Sequence, residues 1–145
     1  MLIQHPTKTS QPKVAIVSDY PKKNTAIPLA DSFYFSVKKM LENNNYSIQS
    51  CLVTSICSQY PGYDPKPSAF DYNKSSAHEV ANALVEYQPD VVLLLGNLSL
   101  SFFKHDSSGI NEERGSPFKA AVNGVRLLFL PTYHPRRIFM QFQLS

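Results

Sequence analysis

Cysteine is scarce in this sequence, with only Cys51 and Cys57 among 145 residues. The two cysteines lack the spacing of a zinc-type pair, and they are too few to build a disulfide scaffold. The histidines His5, His78 and His105 show no metal-ligand spacing either. The sequence therefore predicts no metal site, and it favours a reducing, intracellular compartment such as the cytoplasm or nucleoid.

Long hydrophobic runs are also missing, since no apolar segment approaches the roughly 20 residues that span a bilayer. The first eight residues lack the charged-then-apolar order of a signal peptide, so no membrane partner is expected. Glycine is scarce, with five in the whole chain. The chain has neither a glycine-rich phosphate loop nor a Gly-x-Ser-x-Gly elbow, which excludes most common α/β enzymes.

The composition that remains is that of an ordinary globular protein, with 43% hydrophobic and 17% charged residues. The length suits one domain with a substantial core, which we assign to residues 13–145 after a polar, extended arm over residues 1–12. The net charge of +3 is compatible with a nucleic-acid partner but does not require one.

Short apolar segments alternate with helical patterns along the chain. Helices are predicted after Asp31 as N-cap, behind a Ser76-Ala-His-Glu79 capping box and at 98–103, while 104–116 is expected to be irregular. The last apolar run predicts a strand that is buried on both faces and stopped by Pro131. Together these elements predict a three-layer α/β/α sandwich around a central four-stranded parallel sheet, with strands at 13–17, 47–54, 91–95 and 125–130.

Polar residues follow each predicted strand, and parallel strands end at one edge of a sheet. We therefore expect Asp19, Ser55, Gly96-Asn97 and His134 to surround one nucleotide-sized cleft. Asp19 suits a carboxylate that orients water or faces a developing cation, or alternatively one that bonds its own turn. His134 suits a hydrogen-bond donor to a leaving anion, or alternatively a structural turn histidine.

Basic and aromatic residues in the loops suit a nucleic-acid ligand, although solvated cations and plain packing are the common alternatives. Aromatic loop residues that could stack on a base include Tyr20, and Ile138 and Phe139 form a hydrophobic wedge. The candidate phosphate ligands are Lys22, Lys23, Arg114, Arg136 and Arg137.

The order of the loop motifs resembles the uracil-DNA glycosylase superfamily, and most closely its thermophile-type iron–sulfur branch. The resemblance covers residues 13 to about 139. The motifs that carry it are Ser18-Asp19-Tyr20-Pro21-Lys22, Ala26-Ile27-Pro28-Leu29-Ala30-Asp31, Val53-Thr54-Ser55, Leu95-Gly96-Asn97, Arg114-Gly115 and Thr132-Tyr133-His134-Pro135.

The resemblance implies a domain that extrudes a base from DNA and cleaves its glycosidic bond. It implies that Asp19 positions water or stabilises the sugar cation and that His134 hydrogen-bonds the departing base oxygen. Leu29 then takes the place of the phenylalanine on which uracil stacks, and Ser55 that of the asparagine that reads the uracil edge. Residues 136–139 match the loop that penetrates the duplex.

Several positions depart from the pattern of that branch, where Asp19, Leu29 and Ser55 replace Glu, Phe and Asn. Leu29 cannot stack as a ring does, and Ser55 cannot make the paired contact of an amide. Tyr20 is bulky and is expected to crowd the base pocket. The cluster cysteines are missing, with Gln59 and Ser76 at two of their positions, so no cofactor is expected.

Two hypotheses about function follow. The first is a DNA glycosylase that removes uracil or a related base from single- or double-stranded DNA in repair. The second is a catalytically degenerate module, in which the same fold docks onto DNA or onto a replication protein such as a DNA polymerase. The chain would then suit a compact viral form acting in the host cytoplasm, or a segment of a longer replication protein. A less favoured third interpretation is an unrelated flavodoxin-like nucleotide-binding fold.

Overall fold

The computed structural model of the protein describes residues 1–7, 12–21 and 32–132. Its strands are β1 (Ile3–Gln4), β2 (Val14–Ser18), β3 (Leu52–Ser55), β4 (Val91–Leu95), β5 (Phe118–Val122) and β6 (Val125–Thr132). Its α-helices are α1 (Ser32–Glu42), α2 (Ala77–Tyr87), α3 (Asn97–Phe103) and α4 (Ile110–Glu113). Single-turn 3₁₀ helices occupy Ile48–Ser50, Pro67–Ala69 and Tyr72–Lys74.

The strands of the described residues form one mixed sheet of six strands in the order β1-β3-β2-β4-β6-β5. The neighbours β3, β2, β4 and β6 pair in parallel, whereas β1 and β5 pair antiparallel at the two edges. The four predicted strands thus form the parallel centre of the sheet, but the sheet has six strands and not four, because β1 and β5 add antiparallel edges that were not predicted. Part of the predicted N-terminal arm contributes β1, and the assignment of one domain to residues 13–145 stays a prediction.

The sheet is covered by helices on both faces. Residues of α2, α3 and α4 share one apolar cluster with the Ala15, Leu94 and Phe129 side of the sheet. Val37 and Leu41 of α1 pack with Ile16 and Leu93 on the opposite side. The chain thus has three layers, and none of the described helices is long and apolar enough to cross a membrane.

The last strand differs from the prediction in two ways. β6 is not buried on both faces, since Leu127 and Phe129 are buried while Arg126 is exposed. Pro131 does not end β6, which continues to Thr132. Pairing with β5 stops at Phe129. Beyond that residue, β4 is the one strand among the described residues that pairs with β6, and a proline is tolerated there.

Local hydrogen bonding explains two further differences. The segment 47–54 begins as a 3₁₀ turn, because the Ser47 hydroxyl accepts the Gln49 amide, and β3 starts only at Leu52. The predicted capping box at α2 is absent, since Ser76 makes no side-chain cap and the amide of Ala77 bonds the Ser75 hydroxyl instead.

Two elements, α4 and β5, were also not predicted from the sequence. The short helix α4 lies within the segment expected to be irregular. The strand β5 forms a hairpin with β6 around Asn123 and Gly124, whose φ values of 48° and 82° suit a tight two-residue turn. Asn-Gly between two apolar-containing runs is the sequence signal that would have indicated this hairpin.

Candidate active site at the carboxyl edge of the sheet

The parallel strands end in one line. Ser18 of β2 is paired with Ser55 of β3 on one side and with Leu95 of β4 on the other. Leu95 is in turn paired with Thr132, the last residue of β6. Because neighbouring strands lie about 4.8 Å apart, the loops that begin after these residues share one edge.

The carboxylate of Asp19 is fixed at this edge by the backbone of α3. Its Oδ1 accepts the amide of Ser99 at 2.9 Å, and its Oδ2 accepts the amide of Leu98 at 3.2 Å. Amides in the first turn of a helix have no partner within the helix, and a carboxylate there satisfies them. Asp19 therefore joins the turn after β2 to the helix after β4.

Burial dominates the ionisation of Asp19. Desolvation raises the pKa of its carboxyl from 3.8 to about 6, although the bonds from Ser99 and Leu98 favour the charged form. Asp19 is thus ionised at neutral pH and takes up a proton in mildly acidic solution. A pKa in this range suits a group that works as a carboxylate near pH 7.

Gly96 makes room for this carboxylate. Its φ of +125° lies in a region that other residues rarely adopt, and an ideal Cβ would lie 2.6 Å from Oδ1 of Asp19. Any side chain at this position would displace the carboxylate. Sequence reasoning placed Gly96 at the strand end but did not identify this contact or the Leu98 and Ser99 amides as partners of Asp19.

The backbone around Asp19 is held from the β3 side. The amide of Cys57 donates to the Asp19 carbonyl, and the amide of Ile56 donates to the Ser18 carbonyl, both at 2.9 Å. The turn after β2 is therefore tied to the loop after β3 as well as to α3.

Tyr20 is half-buried against the loop that follows β3. Its hydroxyl donates to Oδ1 of Asp64 at 3.1 Å, and its ring meets that of Tyr60 edge-on with centroids 5.5 Å apart. Desolvation and the nearby Asp64 carboxylate raise the pKa of the Tyr20 phenol, which keeps it protonated. Its role in a base pocket stays a prediction.

Ser55 reaches the same edge but is fully buried. Its hydroxyl donates to the carbonyl of Cys57 at 2.6 Å. The hydroxyl hydrogen is therefore already donated within the loop. The Ser55 side chain presents no surface to a ligand in this conformation. Recognition of a base by Ser55 stays a prediction that requires the loop to move.

Arg114 is exposed and lies at the end of α4. The next residue ties this segment to the last strand, because the amide of Gly115 donates to the carbonyl of Pro131 at 2.8 Å. The segment is also held by an ion pair between Lys104 and Glu113 and by the amide of Ile110, which donates to Oδ1 of Asn97. A DNA-binding role of Arg114 stays a prediction.

Eight of the predicted functional residues lie outside the described residues, and their roles stay predictions. They are Lys22, Lys23, Leu29, His134, Arg136, Arg137, Ile138 and Phe139.

A cavity of about 660 Å³ adjoins the edge, in the loop after β3. Gln59 and Ser76, which were predicted to take two positions of the cluster cysteines in the iron–sulfur branch, line it together with Cys57. Burial raises the pKa of the Cys57 thiol to about 11, so it is protonated at neutral pH. Iron–sulfur clusters are held by several thiolates, and this donor set does not fit one. Among the described residues, no group of three or more His, Cys, Asp or Glu side chains is placed to hold a metal ion.

The family model described as the uracil DNA glycosylase superfamily matches residues 6–144, nearly the whole chain. No curated protein matches the chain significantly.

Proposed function

The chain belongs to the uracil DNA glycosylase superfamily, and on that premise we propose that it binds DNA at the carboxyl edge of its sheet and hydrolyses the N-glycosidic bond of an extruded base. The observation that supports this proposal is the Asp19 carboxylate, held by two backbone amides at the edge where β2, β3, β4 and β6 end together. His134 follows two residues after the end of β6.

The proposed reaction breaks the bond between the sugar C1′ and the base nitrogen, and the departing base keeps the bonding electrons. The sugar then carries positive charge, which the fixed Asp19 carboxylate stabilises. His134 donates a hydrogen bond to the oxygen of the departing base. Water, oriented by Asp19, adds to C1′, and the proton that it loses neutralises the departing base anion. An abasic site is left in the DNA.

The other predicted residues have supporting roles in this proposal. Tyr20 and Leu29 border the base, and Ser55 reaches it once the loop after β3 moves. Ile138 and Phe139 fill the space that the base leaves, which offsets the few kcal/mol that extrusion costs. Basic side chains, Lys22, Lys23, Arg114, Arg136 and Arg137, bind phosphates. The two cysteines are free and buried, which suits the intracellular compartment that we propose.

The experiment that tests this function is an assay of abasic-site formation on single- and double-stranded oligonucleotides carrying uracil or hypoxanthine. We expect product with the wild-type protein and little product with Asp19→Asn or His134→Ala. Asp90→Asn is the matched control. The Asp90 carboxylate also accepts a backbone amide, that of Lys13 at 2.7 Å, but it lies at the amino ends of β2 and β4. His105→Ala, at an exposed position, is the control for the histidine. Absence of product with the wild-type protein, or equal loss in the controls, would contradict the proposal.

A second candidate function is a non-catalytic module that docks onto DNA or a replication protein such as a polymerase. The burial of Ser55 and its internal bond to Cys57 favour it, because the residue expected to read the base edge is occupied. This candidate predicts salt-dependent DNA binding, or copurification with replication proteins, without any abasic product.

A further inference from the structure

The cavity in the loop after β3 has a lining that no part of the proposed reaction uses. Its volume of about 660 Å³ is within the range of small-molecule sites. Polar and aromatic side chains line it together, among them Gln59, Tyr63, Phe70 and Lys74. We call it the Tyr63 cavity.

The Tyr63 side chain is 61% exposed, compared with 38% for Tyr60 in the same loop. An exposed ring at the border of a cavity presents a flat apolar surface to solvent. Phe70, half-buried, lines the same cavity and meets the Tyr72 ring edge-on, with centroids 4.9 Å apart. The cavity therefore offers the kind of surface on which a planar ring stacks.

Two polar groups in the lining are available to a ligand. Neither the Gln59 amide nor the Lys74 ammonium has a hydrogen-bond or ion-pair partner within residues 1–7, 12–21 and 32–132. Two acidic residues also line the cavity: Glu79 pairs with the Met1 ammonium at 3.4 Å, and Asp71 accepts the backbone amide of Asn73. Within the described part of the chain, the lining thus combines an unpaired cation, Lys74, with an unpaired amide, Gln59, and the exposed Tyr63 ring.

The Tyr63 cavity lies directly beside the strand edge. Cys57, two residues beyond Ser55, forms part of its lining. The loop after β3, which forms this cavity, contacts the turn that carries Asp19. The Tyr20 hydroxyl donates to Asp64, and the Tyr20 ring packs against the Tyr60 ring. A DNA chain that leaves the edge on the β3 side would meet this cavity next.

We propose that the Tyr63 cavity is a subsite for one unpaired nucleotide that flanks the extruded base in single-stranded DNA. Its base stacks on Tyr63, its polar base edge meets the Gln59 amide, and its phosphate meets Lys74. The ligand is single-stranded because stacking on a side chain requires a base that is free of its neighbours. This inference rests on the proposed function, since it assumes that DNA crosses the strand edge.

The test is a fluorescence-anisotropy titration of labelled single-stranded and hairpin-duplex oligonucleotides with the full chain. Tyr63→Ala is expected to weaken single-strand binding roughly 5-fold to 150-fold, the range for loss of one base–aromatic stack. Tyr63→Phe keeps the ring and is expected to bind like the wild type. Duplex binding should change much less in either variant.

Lys74→Ala is expected to make the slope of log affinity against log salt less negative by about 0.7, the value for one phosphate contact on a single strand. Lys119→Ala is the matched control, an exposed lysine on β5 at the far edge of the sheet. Lys74 and Lys119 are both exposed, so Lys74→Ala and Lys119→Ala are expected to fold.

The outcomes separate this inference from the proposed function. If Tyr63→Ala and Lys74→Ala bind single strands like the wild type while His134→Ala still abolishes abasic-site formation, the subsite is wrong and the function stands. If the wild-type protein binds no DNA at all, both are wrong. Selective weakening of single-strand binding by Tyr63→Ala, rescued by Tyr63→Phe, supports the subsite.

Discussion

The carboxylate of Asp19 occupies the space that a side chain on Gly96 would need, since an ideal Cβ at Gly96 would lie 2.6 Å from Oδ1 of Asp19. These residues follow two neighbouring strands, β2 and β4. Because Gly96 has no side chain, the Asp19 carboxylate can reach the amides of α3.

Gly96→Ala is therefore expected to destabilise the protein by about 3 kcal/mol, combining the strain of a positive φ with displacement of the carboxylate. Gly124→Ala is the matched control, because Gly124 also has a positive φ, of 82°, but has open space where the Cβ would be. It is expected to cost only about 1 kcal/mol. Urea unfolding of the two variants measures the difference, and equal losses would show that the Asp19 contact is unimportant.

The raised pKa of Asp19 predicts an unusual dependence of stability on pH. Between pH 4 and pH 6 the carboxyl is protonated in the folded protein but ionised in the unfolded chain, so the folded state binds the extra proton. The free energy of unfolding should consequently fall as pH rises through this window, by about 2 kcal/mol once partial exposure is allowed for, and then level off.

Asp19→Asn should lack this contribution, and Asp90→Asn should retain it. Denaturant titrations of the three proteins at pH 4 to pH 8 measure the effect. A wild-type stability that rises relative to Asp19→Asn between pH 4 and pH 6 would contradict the assignment.

Ser55→Ala tests whether this serine is structural. Removal of the buried hydroxyl leaves the Cys57 carbonyl without its donor, which should cost about 1–2 kcal/mol in the free energy of unfolding. Ser68→Ala, at an exposed position, should change stability very little. If Ser55→Ala alters the base preference and leaves stability unchanged, Ser55 faces the ligand and not the loop.

Asn97→Ala tests the connection between α3 and α4. The side-chain oxygen of Asn97 accepts the amide of Ile110 at 2.8 Å, so its loss should cost about 1 kcal/mol and speed hydrogen exchange at that amide. The control is Asn43→Ala, an exposed asparagine just after α1. Unchanged exchange at Ile110 would show that α4 is held by other contacts.

Much of the strand edge was predictable because it depends on local patterns. The apolar run of β4 and the glycine after it predict a buried strand followed by a turn, and the structure has both. The contact of Asp19 with Leu98 and Ser99 was not predictable in this way. Those residues lie 79 and 80 positions further along the chain, and they meet Asp19 only because β4 crosses over to pair with β2.

Local competition explains the errors. Ser47 and Ser75 use their hydroxyls to bond nearby amides, which shortened the predicted strand and replaced the predicted capping box. Pro131 remains in β6 because, among the described strands, only β4 pairs with β6 at this position. That pairing depends on the arrangement of the whole sheet and cannot be read from the sequence of the segment.

The most direct test of the proposed function is the pH dependence of abasic-site formation under single-turnover conditions on a uracil-containing single strand. If ionised Asp19 stabilises the sugar cation, the rate constant should rise about tenfold per pH unit below pH 6 and level off above it. Asp19→Asn should remove both the rate and this dependence, while Asp90→Asn keeps them. Abasic product formed by Asp19→Asn at the wild-type rate and with the wild-type pH profile would contradict the account.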